Sequence, residues 1–200
     1  MSTENQSVCA VVVAAGSSRR MGGENKLLLP LCGKPVLAHT LTAFQMCGAV
    51  RDIVLVCREQ DMEVYRTLAA ENGITKLRTL TRGGDTRTES VLAGVSAASE
   101  ACALVAVHDG ARPLVSDEVI TQAVDEAAKT GAAAPVVPVK DSIKRIENGK
   151  IVADVPRDTL AAVQTPQVFR AELLRRAYET EYRPEFTDDA SVVELSGEAV

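Results

Sequence analysis

Arg19, Arg20 and Lys26 bring three positive charges into eight residues of a chain whose formal net charge is −5. They belong to the run Ala14-Ala15-Gly16-Ser17-Ser18-Arg19-Arg20-Met21-Gly22-Gly23-Glu24-Asn25-Lys26. Small residues let backbone N–H groups approach a phosphate closely. A local cluster of cations also reverses the field around one loop of an acidic protein. The chemistry on offer is neutralisation of a polyphosphate. The run is neither Walker A, which needs Gly-x-x-x-x-Gly-Lys-Ser/Thr, nor the dinucleotide fingerprint Gly-x-Gly-x-x-Gly. One arginine in such a loop would be an ordinary surface charge, but the whole constellation is not.

Two other segments carry chemistry. Gly83-Gly84-Asp85-Thr86-Arg87, with Ser90 one turn further, places glycines ahead of a capped helix. There they present N–H donors to the edge of a base or another acceptor, although an ordinary strand-to-helix turn reads the same way. His108-Asp109-Gly110-Ala111-Arg112-Pro113 follows the apolar run Ala103–Val107. An Asp at a strand's carboxyl end beside a triphosphate is a natural Mg²⁺ ligand, because Mg²⁺ takes one or two carboxylates plus phosphate oxygens and water. The competing role for Asp109 is a turn or a helix cap. Arg112 offers a bidentate phosphate contact. The only histidines are His39 and His108, and neither is assigned a catalytic role. That scarcity fits an attacking phosphate monoester, whose second pKa of about 6 leaves it largely dianionic and in need of no general base. Catalysis then reduces to alignment and charge stabilisation.

The elements that must position these residues alternate. Strands are predicted at Val8–Val13, Ile53–Cys57, Leu77–Leu80, Ala103–Val107 and Ala132–Val137. Helices are predicted at Val36–Cys47 and Asp61–Asn72, from Thr86 to about Ser99, and from Ser116 to Lys129. Thr86 with Glu89 forms a capping box, and Gly73 and Gly131 stop two of the helices. Short apolar runs alternating with helices predict an α/β fold, a mostly parallel sheet covered on both faces. Ser142–Glu147 and Lys150–Val155 break the rhythm as a hairpin around Asn148-Gly149. A lone hairpin is marginally stable, so this one is expected to pack on an outside surface, most simply a second copy of the chain. The plainer alternative lays it flat on its own domain. The expected division is a core of residues 1–137 and 161–200 and an arm of residues 138–160.

Composition narrows the class. A hydrophobic content of 46% supports a sizeable core in one domain of 200 residues. The acidic balance argues against a generic nucleic-acid binder. Five cysteines, odd in number and without a Cys-x-x-Cys pair, read as reduced, buried thiols of a cytoplasmic protein. Met1–Ser7 has no basic n-region, so no signal peptide is expected. The longest apolar run, Val8–Ala15, is about half a membrane span.

Taken together, the Ala-Ala-Gly…Arg-Met…Lys loop, Gly-Gly-Asp-x-Arg, Val-His-Asp-Gly-Ala-Arg-Pro and the Pro-Val-Lys-Asp-Ser-Ile-Lys run resemble a known family. It is the 2-C-methyl-D-erythritol 4-phosphate cytidylyltransferase family of isoprenoid precursor biosynthesis, and the likeness runs from about Val8 to Gly197. The resemblance implies a Rossmann-like nucleotidyltransferase core and a β-arm exchanged in a homodimer. It also implies attack of the acceptor's 4-phosphate on the α-phosphorus of CTP, with Mg²⁺ present. By the same resemblance, Arg20 and Lys26 stabilise the transition state, while Ala14, Ala15, Gly16, Gly84, Asp85, Arg87 and Ser90 hold CTP. Asp109 binds the metal, and Arg112, Thr165 and Thr187 contact the acceptor. Ser142, where the family usually has Thr, and Arg157 act across the dimer. The competing role for Thr187 is a helix N-cap.

The family pattern continues beyond Val200 with a strand and an Asn-Ile-Lys-x-Thr segment, whose Lys contacts the acceptor. Val200 is expected to lie just inside that strand, and the sequence is either a shortened chain or one that lacks this contact. In the second case CTP binding is expected to survive better than turnover. The rivals are a cytidylyltransferase for another polyol phosphate, such as ribitol 5-phosphate, and a CTP-binding protein without turnover.

Overall fold

A computed structural model describes residues 7–16, 25–179 and 186–200. In chain order the strands are β1 (Val8–Ala14), β2 (Pro30–Leu31), β3 (Lys34–Pro35), β4 (Val50–Cys57), β5 (Leu77–Arg82), β6 (Leu104–Asp109), β7 (Ala132–Ala133), β8 (Val136–Pro138), β9 (Ile143–Glu147), β10 (Lys150–Val155), β11 (Ala161–Val163) and β12 (Gln167–Arg170). The helices are α1 (Val36–Met46), α2 (Met62–Glu71), α3 (Arg87–Ala97), α4 (Asp117–Thr130), α5 (Ala171–Tyr178) and α6 (Asp189–Leu195).

The main sheet has the order β5-β4-β1-β6-β12-β7. Its first four strands run parallel, and β12 is antiparallel to both its neighbours. Side chains alternate faces along a strand, and β1 shows the result. Val8, Ala10, Val12 and Ala14 enter the core layer built with α1, α2 and α4. Cys9 and Val11 enter the layer built with α3, α5 and α6. Both faces are covered, so the strand is almost wholly apolar. Helix α3 lies unusually near the sheet: a Cβ on Gly94 would fall 2.4 Å from Val11 Cγ1 and 2.7 Å from Val56 Cγ2. Among the described residues, no helix is long and apolar enough to cross a membrane.

The predicted start and stop signals act as capping chemistry dictates. Thr86 Oγ1 accepts from Glu89 N, and the Glu89 carboxylate accepts from Thr86 N, completing the capping box. Ser116 caps α4, and Gly131 ends it with φ +103°. Asn148 and Gly149 take φ +49° and +75°, the two positive values that a type I′ hairpin turn requires.

Three expectations need correction. The predicted strand Ala132–Val137 is two strands. β7 stays in the main sheet, whereas β8 pairs with β11 in a separate ladder. Pro135 lies between them and lacks a ladder donor, although its carbonyl accepts from Gln164 N. Cys32 is exposed, unlike the other four cysteines, because it sits at φ +49° in the β2–β3 turn. Residues 198–200 form no strand, following a turn at Gly197 with φ +88°.

Beyond β8 and β11 the arm hairpin β9–β10 forms its own two-stranded sheet. Ile146 and Ile151 are cross-strand partners on it, and they are 64% and 68% exposed. Val136, Val137, Val152 and Val163 on the same extension are exposed as well.

Candidate active site

The carboxyl ends of parallel strands beside a change in winding direction are where open α/β sheets bind ligands. Here the winding goes from β1 outward to β4 and β5, and then across to β6. A cleft of about 940 Å³ opens at that point. Ala14, Ala15, Gly16, Lys26, Gly84, Asp85, Arg87, Ser90, Asp109 and Arg112 all line it. A smaller cavity of about 360 Å³ adjoins it, sharing Arg87, Asp109 and Arg112 and adding Gln164, Thr165, Gln167, Thr187 and Asp188. Ten of the expected residues thus meet in one cleft, and Thr165 and Thr187 in the next. Arg20 lies outside the described residues. Ser142 and Arg157 border neither cavity: both are exposed on the arm, where Arg157 Nη1 donates to Lys140 O at 2.6 Å.

Lys26 follows a fixed residue. Asn25 Oδ1 accepts from Leu27 N at 3.1 Å, and its amide donates to Tyr65 Oη at 2.9 Å. Tyr65 is fully buried on α2, and burial pushes its phenol up to about 12. The phenol therefore stays neutral and anchors the segment that carries Lys26. Tyr65→Phe keeps the packing and deletes this bond. It is expected to cost about 1 kcal/mol of stability and to lower kcat several-fold, read by urea unfolding and steady-state kinetics.

The glycines supply closeness. Gly83 N donates to Cys57 O at 2.9 Å, so the expectation that both glycines offer N–H groups to a ligand fails for Gly83. A Cβ there would lie 2.6 Å from Ala15 Cβ and 2.7 Å from Ser90 Oγ. Its absence lets the β1 loop, the β5 loop and α3 converge. On Gly84 a Cβ would meet Glu89 Cβ at 2.3 Å. Backbone N–H groups of Thr86 and Asp85 hold the exposed Glu89 carboxyl below the usual range. Ser90 is buried, and its hydroxyl donates to Thr86 O at 2.9 Å.

Asp109 stands between two guanidinium groups, with Arg112 Nε at 3.0 Å and Arg87 Nη2 at 3.4 Å. Arg112 also donates to Gln164 Oε1. Arg87 reaches further, to Asp189 Oδ2 at 2.8 Å. Burial works against its charge, but Asp189 and Asp109 outweigh burial and raise its pKa. Asp189 is itself wholly buried and accepts from Tyr178 Oη at 2.5 Å. Desolvation and the neighbouring Asp189 push the Tyr178 phenol up, keeping it a donor. Arg87, expected as a CTP contact, is thus also the tie between α6 and the carboxylate at the tip of β6.

Sequence reasoning missed Tyr178, Asp189 and Gln167, whose amide donates to Asp188 Oδ2 at 2.9 Å. The signal was the Asp188-Asp189 pair opening an apolar helix. One member caps, since Asp188 Oδ1 accepts from Ser191 N, and the other is left to pair inward. The N-cap of α6 is therefore Asp188 and not Thr187, which stays exposed at the smaller cavity. Neither histidine lines either of these two cavities. His39 Nε2 lies 2.7 Å from Leu31 O, and His108 is fully buried, with its pKa pushed down to about 4 by that burial.

The cleft offers a glycine-lined loop, a lysine with no ion-pair partner among the described residues, and a carboxylate framed by arginines at the ends of three parallel strands. That is equipment for a nucleoside triphosphate and a second phosphate. Comparison with known proteins agrees. The family model for 2-C-methyl-D-erythritol 4-phosphate cytidylyltransferase matches residues 8–200. A protein of that description from Dehalococcoides mccartyi is 43% identical over 191 residues, covering 95% of this chain and 83% of its own. One from Halalkalibacterium halodurans is 44% identical over 193 residues, covering 95% and 84%. Among solved structures, 4-diphosphocytidyl-2C-methyl-D-erythritol synthase from Anaerococcus prevotii superposes with a TM-score of 0.84 at 27% identity, covering 96% of this chain and 83% of that one. The Thermus thermophilus cytidylyltransferase gives 0.72 at 30% identity, covering 96% and 85%. The chain belongs to the 2-C-methyl-D-erythritol 4-phosphate cytidylyltransferase family.

Proposed function

We propose that the chain transfers CMP from CTP to 2-C-methyl-D-erythritol 4-phosphate, giving the CDP-linked product and pyrophosphate in isoprenoid precursor synthesis. The observation that carries this reading is the convergence of Lys26, the Gly84–Ser90 turn and the Asp109–Arg112 turn on one cleft. An oxygen of the acceptor phosphate bonds to the α-phosphorus of CTP. The bond from that phosphorus to the α–β bridging oxygen breaks, and its electron pair leaves with pyrophosphate. No proton has to move, because a phosphate monoester is largely dianionic near neutrality. The absence of histidine from the cavity linings fits this.

Residues then take roles by charge and place. The loop Ala14–Gly16 and the turn Gly84–Ser90 seat the nucleotide. Lys26, together with Arg20, neutralises charge that builds up on the phosphates in the transition state. Arg112, Thr165 and Thr187 receive the acceptor. Asp109 suits a Mg²⁺ ion: its side chain is one-third exposed to the cleft, and its two arginine contacts leave lone pairs unused. A Mg²⁺ ion here would take most of its ligands from substrate phosphates and water. Such an ion would supply Lewis-acid polarisation of the phosphoryl oxygens.

The arm, residues 138–160, is read as a dimerisation element that carries Ser142 and Arg157 to a partner's cleft, with residues 1–137 and 161–200 as the core. The exposed isoleucine pair and neighbouring valines support this, since apolar groups gathered on one projection mark an interface. The double substitution Ile146→Asp, Ile151→Asp is expected to turn a dimer into a monomer by sedimentation velocity. A wild-type monomer, or a variant that stays dimeric, would refute the reading. A cytoplasmic location accords with five unbridged thiols.

Pyrophosphate release from CTP across a panel of polyol phosphates tests the whole. The methylerythritol phosphate is expected to give the highest kcat/KM. Preference for ribitol 5-phosphate would replace the acceptor, and tight CTP binding without release from any acceptor would replace the activity.

A further inference from the structure

His108 lines neither cavity, yet three of its neighbours, Asp109, Arg112 and Thr165, do. Its Nε2 lies 3.1 Å from Arg112 O, and its Nδ1 lies 3.0 Å from Thr165 Oγ1. A carbonyl only accepts, so Nε2 carries the hydrogen. In the neutral ring Nδ1 is then an acceptor, and the Thr165 hydroxyl must donate to it. That leaves the lone pairs of Thr165 Oγ1 to accept from Asp109 N, 3.4 Å away. The result is one directed chain: Asp109 N–H to Thr165, Thr165 O–H to His108, and His108 N–H to Arg112.

We propose that His108 is a positioning residue that presets the acceptor-phosphate half of the site, by tying the Asp109–Arg112 turn to Thr165 across the junction of β6 and β12. The ring cannot swing, because it packs against buried Phe44 with centroids 4.9 Å apart. The turn is held independently at its middle, where Gly110 O accepts from Thr40 Oγ1 at 2.8 Å and Gly110 N donates to Val13 O at 2.9 Å. Those bonds fix Gly110, and Arg112 N closes the turn by donating to Asp109 O at 3.0 Å. The histidine secures the end that bears Arg112 and, through Thr165, the end that bears Asp109. Hydrogen bonds from behind such groups set the orientation in which they meet the ligand.

The inference rests on the acceptor-site reading above. Its test compares wild type, His108→Phe and His108→Gln in steady-state pyrophosphate release, varying CTP and 2-C-methyl-D-erythritol 4-phosphate separately. Phe keeps the packing and deletes both bonds, while Gln restores a donor towards Arg112 O. His108→Phe is expected to raise KM for the acceptor about tenfold or more, as misplacement of contact groups does, with KM for CTP within about twofold of wild type. His108→Gln is expected to recover much of the loss at an unfolding midpoint close to that of the Phe variant. Equal changes in both KM values, or no recovery by Gln, would overturn the positioning role while leaving the activity standing. A wild type without release would overturn both. Should His108→Phe fail to fold, His108→Leu replaces it in the same comparison.

Discussion

Lys26→Ala is expected to lower kcat by about 10²–10³-fold, the scale seen when one preorganised group facing transition-state charge is removed. Its ammonium lines the cleft without any carboxylate within ion-pair distance among the described residues. Its charge is therefore available to phosphate rather than spent on a neighbour. The loss should fall mainly on kcat, because the charge it meets grows as the α-phosphorus is attacked. The dissociation constant for CTP should rise much less, since the loop Ala14–Gly16 and the turn Gly84–Ser90 remain. Steady-state kinetics paired with calorimetric titration of CTP measures both. A kcat within about twofold of wild type would remove Lys26 from the catalytic group.

Asp189→Ala carries the largest expected effect on stability, about 3 kcal/mol, the low end for breaking a buried ion pair. The low end applies because the Arg87 side chain is 33% exposed and keeps Asp109 as a partner. Tyr178 Oη would be left buried without its acceptor, a further cost of the kind that unsatisfied groups incur. Urea unfolding at neutral pH reads the change. Activity should fall beyond what the lost stability explains, because Arg87 released from α6 closes more tightly on Asp109. A variant as stable as wild type would show that the tie is not structural.

Much of the fold was legible because its signals are local. The apolar run Val8–Val13, the capping box at Thr86 and Glu89, and Asn148-Gly149 each fix a conformation from a few adjacent residues. Strand β12 was not legible in this way. Gln167–Arg170 is four residues long, and its place between β6 and β7 comes from pairing with segments tens of residues away. Ala132–Val137 misled because its apolar character does not reveal which sheet each half joins. The site followed the same rule. Lys26, Gly84 and Asp109 sit in contiguous motifs that made them visible as candidates, and they line one cleft, whereas Asp189 and Tyr178 act through Arg87, which lies 102 residues before Asp189. Ser142 and Arg157 line neither cavity of the single chain, so their proposed roles rest on the dimer reading.

The root of the arm has a consequence of its own. Gln164 donates its backbone N–H to Pro135 O, clamping the outgoing and returning strands together, and its side chain receives Arg112. One residue therefore serves as both hinge pin and handrail. A load on the hairpin would pass through the β8–β11 ladder to that pin. The guanidinium it would reach is that of Arg112, which lines both cavities.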